Sequence, residues 1–234
     1  MSTLLLRLAG PMQSWGTSSK FDRRLTEVFP SKSGVFGMLA CALGIRREES
    51  EEALKELFPL RFGVRIDQDG ELLNDYHIVH EMTDSKNPAV WVTNRYYLAD
   101  AVFLVGLQGE ETLLNKLVEA LNNPVFPIFL GRRSCPPAGK LVLGLRNLDL
   151  QDALEQEQWT ANDWYKKRTK KQHLEIFLDA GLEDDASFSL RDFPVSFDQK
   201  FRKYAIRDVV KKHIRIKEIE TCETKHDPME LLEV

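Results

Sequence analysis

Thirteen consecutive residues without a charge, Ser33 to Ile45, follow the stretch Phe29-Pro30-Ser31-Lys32. Pro30 disfavours helix in the residue before it, and Ser31 or Ser33 can accept a backbone N–H and cap a helix that begins here. A helix with no charged face must be buried on most sides, so this segment is expected inside the fold rather than on its surface. Gly34 and Gly37 leave the first turn bare, which admits either a neighbouring backbone or a phosphate. Lys32 stands at the same end. Two readings therefore compete for Ser31, Lys32, Ser33 and Gly34: close packing of helix on sheet, and a phosphate contact.

The flanking segments suggest how the helix is enclosed. Thr3 to Ala9 reads as a strand and Gly10 to Gly16 as a loop. A short acidic helix is expected over Glu48 to Phe58. Leu60 to Asp67 alternates like a strand, and Gln68-Asp69-Gly70 predicts a hairpin turn after it. Ala101 to Leu107 is β-branched and aromatic, and Thr112 to Leu121 carries Leu113, Leu114, Leu117, Val118 and Leu121 at helical spacing. The order β-α-β-β-α-β is the ferredoxin-like plan, an α+β fold. Residues 75–100, with Trp91, Arg95, Tyr96 and Tyr97, are too many for a plain loop between the middle strands. Beyond Pro137 the chain is less regular and more charged, with strands expected over Lys140 to Leu145 and Ser187 to Phe193 and a helix over Asp149 to Gln156. The chain is thus expected to divide into residues 1–137, the ferredoxin-like core, and 138–234, a smaller β-rich basic part.

A net charge of −4 hides an uneven distribution. Lys166, Lys167, Arg168, Lys170 and Lys171 form one basic run, and Lys200 to Lys217 a second in which Asp208 is the sole acid. Acid collects in Glu48 to Glu52 and in the tail after Glu218. Local basic surface suits a protein that holds a nucleic-acid strand, and it equally suits two solvated faces. Cys41, Cys135 and Cys222 lack metal-ligand or disulfide spacing. No signal peptide or bilayer-length apolar run is present, so a cytoplasmic protein is expected.

Three places carry candidate chemistry. Arg132 and Arg133, with Ser134, sit in a loop bracketed by Gly131 and Pro136-Pro137, where guanidinium forks can be held toward a phosphate or spent on surface ion pairs. Tyr76 and His77, with Lys86, could act as acid and base on a 2′-hydroxyl, or the aromatic pair could simply anchor a hairpin. His77-x-x-His80 lacks the helical i, i+4 spacing of a metal site, and no third ligand is fixed. Aromatic residues beside polar or basic ones, Trp15 next to Gln13 and Ser14, and Tyr96 or Tyr97 next to Arg95, are candidate stacking platforms, with core packing as the other fate.

Five strings, in order along nearly the whole chain, resemble CRISPR-associated protein family five of the RAMP superfamily, in its type I-E branch. They are Leu8-Ala9-Gly10-Pro11-Met12-Gln13-Ser14-Trp15-Gly16 with Arg24-x-Thr26-x-x-Phe29-Pro30-Ser31-Lys32-Ser33-Gly34; Asp75-Tyr76-His77; Arg95-x-Tyr97-Leu98-x-Asp100-Ala101-x-Phe103; Leu130-Gly131-Arg132-Arg133-Ser134-Cys135-Pro136; and Arg191-Asp192-Phe193-Pro194-Val195-Ser196-Phe197 followed by Tyr204-Ala205-Ile206-Arg207. The resemblance implies an RNA-recognition-motif-like core with a projecting β-hairpin thumb at about residues 77–100. It implies a non-catalytic Cascade subunit that binds the 5′ handle of the CRISPR RNA, caps the backbone filament and meets the backbone and large subunits. No cofactor, metal, membrane or small-molecule substrate is implied. Relatives in the type I-C system cut precursor guide RNA, so a metal-independent endoribonuclease using Tyr76, His77 and Lys86 is the alternative. The family's RNA contacts map here onto Gln13, Ser14, Trp15, Arg24, Ser31, Lys32, Ser33, Gly34, Tyr76, His77, Arg95, Arg132, Arg133 and Ser134.

Overall fold

The computed structural model describes residues 2–17, 23–82, 89–181 and 184–216. The chain runs β1 (Ser2–Ala9), β2 (Met12–Gln13), β3 (Arg23–Arg24), α1 (Lys32–Leu43), α2 (Ser50–Ala53), β4 (Arg61–Gln68), β5 (Glu71–His80), β6 (Val90–Ala99), β7 (Val102–Gly109) and α3 (Glu111–Asn122). It continues through β8 (Val142–Arg146), α4 (Leu150–Gln156), α5 (Asp163–Arg168), β9 (His173–Asp179), β10 (Phe188–Ser196) and β11 (Lys203–Arg215). The result is a strand-dominated α+β architecture. Where one acidic helix was expected over Glu48 to Phe58, two 3₁₀ turns flank the single turn of α2.

A seven-stranded antiparallel sheet has the order β10-β11-β9-β4-β7-β1-β8. Its central strands are buried on both faces, which explains why Leu4-Leu5-Leu6 does not alternate with polar residues. Leu4, Leu6 and Leu8 join Phe62, Val64, Phe103 and Val105 in a core shared with α1 and α3. Leu5 and Leu104 face the other way, into a second core with Leu150, Leu154 and Trp159. In an RNA-recognition motif the sheet face opposite the helices stacks bases. Here α4 and the segment after it cover that face. Arg65, fully buried beside Asp67, donates to the carbonyls of Leu154, Glu157 and Gln158, and Asp67 accepts from the Thr160 N–H and hydroxyl. The expected division near residue 137 falls within this sheet: β8 pairs with β1, and β9 extends the sheet from β4.

The hairpin expected at Gln68-Asp69-Gly70 is instead a corner. β4 and β5 do not pair with each other; β4 pairs with β7 and β5 with β6, so one long two-stranded ribbon bends between Gln68↔Val102 and Glu71↔Ala99. Asp100 takes a left-handed backbone conformation (φ 55°) to make that bend. Gln68 holds it by donating to the Asp100 carbonyl and accepting from Asn162 N–H, and Asp100 N–H donates to Pro11. The distal half, Glu71–His80 with Val90–Ala99, is the thumb, and it starts earlier than residue 77.

Candidate nucleic-acid interface

The start of α1 follows the sequence reading in form and departs from it in chemistry. Ser31 caps the helix, its hydroxyl accepting from Gly34 N–H, and Gly44 closes it in a left-handed conformation. Lys32 turns inward: it is 3% exposed, and its ammonium donates to Asp179 at 2.7 Å and to the Leu60 carbonyl. Asp179 also accepts from Arg207, and Arg207 forks onto Asp192 through Nε at 2.6 Å and Nη2 at 3.0 Å. Asp192 accepts the backbone N–H of Lys32 at 2.7 Å. An anion already occupies the positive end of the helix, and it belongs to the protein. Burial pushes the Lys32 ammonium pKa down, and Asp179 works to hold it up. Gly34 serves packing: a Cβ there would lie 2.7 Å from the Trp15 ring. Trp15 is 1% exposed and donates to the Gln13 amide oxygen, while the Gln13 amide N–H₂ donates to the Leu8 and Ala101 carbonyls. Gln13 and Trp15 therefore organise the core rather than stack a base.

Basic groups converge at the root of the thumb. β3 pairs in parallel with β6, setting Arg24 opposite Arg95. Arg132 donates to the Arg24 carbonyl at 2.7 Å and lies over the Tyr97 ring, 4.7 Å from its centroid. Gly131 makes this loop geometry possible. It sits at φ +82°, and a Cβ there would fall 1.8 Å from the Ser14 carbonyl oxygen. Ser14 in turn donates to the Tyr96 carbonyl, fastening the loop to the thumb strand. Arg133 and Ser134 are exposed beside it. None of Arg24, Arg95 and Arg132 has a carboxylate partner among the described residues; Asp75, across from Arg95, is bonded to His77. One buried nitrogen of Arg95 and one of Arg132 find no acceptor among the described residues.

Along the thumb, consecutive residues alternate faces. His77 shares a face with Asp75, Thr93 and Arg95, and Tyr76 lies on the other with Asn94. His80 is on the Tyr76 side, so it cannot join His77. Tyr76 is 59% and Trp91 53% exposed, whereas Tyr97 is buried. The aromatic rings open to solvent here are therefore Tyr76 and Trp91, not Trp15 or Tyr97. Lys86 lies outside the described residues.

Between α1 and the β10–β11 end of the sheet lies a cleft of about 270 Å³. Trp15, Ser31, Ser33, Gly34 and Gly131 line one side, so the expected helix start and arginine loop meet at one place. The other side brings residues not anticipated for it: Arg46, Arg47, Arg202, Phe197 and Tyr204. Arg46 and Arg47 precede an acidic run and read locally as solvated charge, and Arg202 belongs to a basic run whose direction no local signal reveals. Burial pushes the Tyr204 phenol pKa up, and the neighbouring Arg202 and Arg47 pull it back.

The family model described as CRISPR-associated protein (Cas_Cas5) matches residues 3–210. The chain belongs to the CRISPR-associated Cas5 family. It is 35% identical over 190 residues to the CRISPR system Cascade subunit CasD of Escherichia coli (strain K12), covering 74% of this chain and 84% of that one. A crystal structure of a Cas protein is similar at 38% identity and a TM-score of 0.73, covering 94% of this chain and 98% of that chain. A chain from a CRISPR RNA-guided surveillance complex is similar at 33% identity and a TM-score of 0.76, covering 95% of each. The family match takes in the thumb root and the cleft alike. Among the described residues no helix is long and apolar enough to cross a membrane.

Proposed function

We propose that this protein is a non-catalytic subunit of a Cascade-type CRISPR surveillance complex that holds the 5′ handle of the guide RNA at the root of its thumb and caps the filament of backbone subunits. The observation that carries this reading is the convergence of Arg24, Arg95 and Arg132 from distant segments with no carboxylate bonded to any of them among the described residues. A phosphate backbone supplies the missing acceptors, and charge-assisted bonds from guanidinium to phosphate are the strong kind. With the sheet face covered by α4, the RNA path runs along the thumb root rather than across the strands. The open apolar residues of the thumb, among them Leu72, Ile78 and Val92, suit cover by a neighbouring subunit. Tyr76 and His77 face opposite sides of β5, which supports an anchoring role for the pair over joint action on one scissile phosphate.

The test is incubation of the purified protein with repeat-hairpin RNA and with single-stranded RNA, without metal. Binding that weakens steeply with salt and leaves the RNA intact is expected. Discrete cleavage would establish the endoribonuclease alternative, and binding indifferent to salt would remove the phosphate role of the arginines.

A further inference from the structure

We propose that the cleft between α1 and the β10–β11 end of the sheet is a single-nucleotide pocket, in which Arg46, Arg47 and Arg202 hold the phosphate of one unstacked RNA nucleotide and Phe197 and Tyr204 receive its base. This rests on the RNA-binding reading above and extends the strand's path to the far side of the Gly131 loop. The pocket is built, not incidental. Ser50, 1% exposed, accepts from the Phe197 N–H at 2.9 Å and donates to the Arg47 carbonyl at 2.7 Å. One buried hydroxyl thus ties the turn that carries Arg47 to the segment that carries Phe197. Phe197 and Tyr204 meet edge to face, with centroids 6.5 Å apart and planes at 61°.

The floor is the small-residue face of α1, where Gly34, Gly37 and Cys41 succeed one another at helical spacing. Gly34 needs its bareness for Trp15, but Gly37 does not: a Cβ there would make ordinary contact, 3.8 Å from the Phe197 ring. Its missing side chain leaves room in the cleft instead. No Asp or Glu lines the pocket, and none of its three arginines has an ion-pair partner among the described residues. Two aromatic rings set edge to face, an uncharged floor and three arginines without a bonded carboxylate suit a base with its phosphate. At about 270 Å³ the space lies close to the roughly 300 Å³ lower end of small-molecule pockets, which limits any occupant to one small unit and leaves no room for a paired stem.

Cys41 lines the cleft and is partly exposed, whereas Cys135 is fully buried, so the Cys41 thiol reports occupancy. The full chain is treated with N-ethylmaleimide, alone, with a short single-stranded RNA or with adenosine monophosphate, and Cys41 alkylation is followed by peptide mass spectrometry. Anisotropy measures RNA affinity in parallel. With RNA at about ten times Kd, alkylation should slow about tenfold, the share of sites left empty. Arg47→Ala/Arg202→Ala, both exposed side chains, should lose that protection, bind RNA more weakly and flatten the log–log salt slope by about 0.7, one phosphate on a single strand. Arg132→Ala/Arg133→Ala should keep the protection once enough RNA is added to saturate. Unchanged Cys41 alkylation while the wild type is saturated with RNA overturns the pocket and leaves the thumb-root reading standing. Protection by the mononucleotide with none by the RNA overturns the claim that the pocket serves a strand. If the wild type binds no RNA, the broader reading falls, and the pocket with it.

Discussion

Cationic side chains gather at the start of α1 and again at the thumb root, and these two gatherings differ in what is packed with them. At the start of α1, Lys32 and Arg207 meet Asp179 and Asp192, every charge has an opposite within hydrogen-bond distance, and the group is buried. At the thumb root, Arg24, Arg95 and Arg132 meet one another, a tyrosine ring and backbone carbonyls. The residue types are much the same, and the partners decide the use. A buried cluster that neutralises itself has nothing left to offer a ligand. A cluster whose cations have no bonded anion stays incomplete until one arrives.

The largest effect should come from breaking the neutral cluster. Lys32→Met leaves Arg207 alone between two buried carboxylates, and removing one partner of a buried ion pair costs about 3–5 kcal/mol. Urea unfolding should register that loss, while the folded fraction binds RNA with unchanged salt slope. An unaltered unfolding midpoint together with a shallower slope would mean that the ammonium reaches RNA after all, and the contrast between the clusters would collapse.

Breaking the open cluster should do the reverse. Arg132→Ala/Arg133→Ala removes bonds to charged groups worth about 1.5–3 kcal/mol each, so with partial compensation RNA affinity should fall by about 2–4 kcal/mol. The unfolding midpoint should move little, because Arg132 contributes one bond to a carbonyl and one contact with the Tyr97 ring, and Arg133 is exposed. Normal affinity with intact circular dichroism would assign both residues to structure.

The contrast also explains which features sequence reasoning could reach. A helix without charge announces its burial, because burial depends on its own residues, and the periodicities of β4, β7 and α3 are local in the same way. The fate of Lys32 is not local. Its partners, Asp179 and Asp192, lie 147 and 160 residues away, and nothing at Lys32 distinguishes a cation waiting for phosphate from one already paired. Asp69-Gly70 has the chemistry of a tight turn, but whether the flanking strands pair with each other or with β6 and β7 depends on the whole ribbon. The covered sheet face was hidden for a related reason: α4 reads as a short helix, and its docking rests on distant partners, the buried Arg65–Asp67 pair and the second core around Leu5 and Leu104. Arg24, Arg95 and Arg132 were each recognisable, whereas their meeting required the fold.

A smaller effect should sharpen the picture of the open surface. Tyr76 and Trp91 are the exposed aromatics of the thumb, on opposite faces of the ribbon. If RNA passes along one face, Ala at one of them should cost about 1–3 kcal/mol of affinity, the usual value of a lost base stack, and Ala at the other almost nothing. The pair of values assigns the face the strand follows. Equal losses at both would mean that the RNA wraps the hairpin, and no loss at either would leave both faces to protein partners.

The smallest expected effect concerns chemistry rather than binding. Tyr76→Phe removes one hydroxyl from an exposed ring that keeps its aromatic surface, so RNA affinity should stay nearly constant. His77→Ala removes the partner of Asp75 and frees that carboxylate, already opposite Arg95, to turn toward the arginine, so it should weaken binding slightly by neutralising part of the open cluster. Neither change should alter how much mature guide RNA accumulates in cells. A general acid or base behaves otherwise: its loss slows cleavage by about 10²–10⁴-fold while affinity barely moves. Guide accumulation and binding are therefore measured side by side for His77→Ala. A collapse of mature guide at normal affinity would make the thumb root a catalytic site, whereas a modest loss of affinity with normal guide levels fits a cluster whose strength depends on keeping carboxylates away.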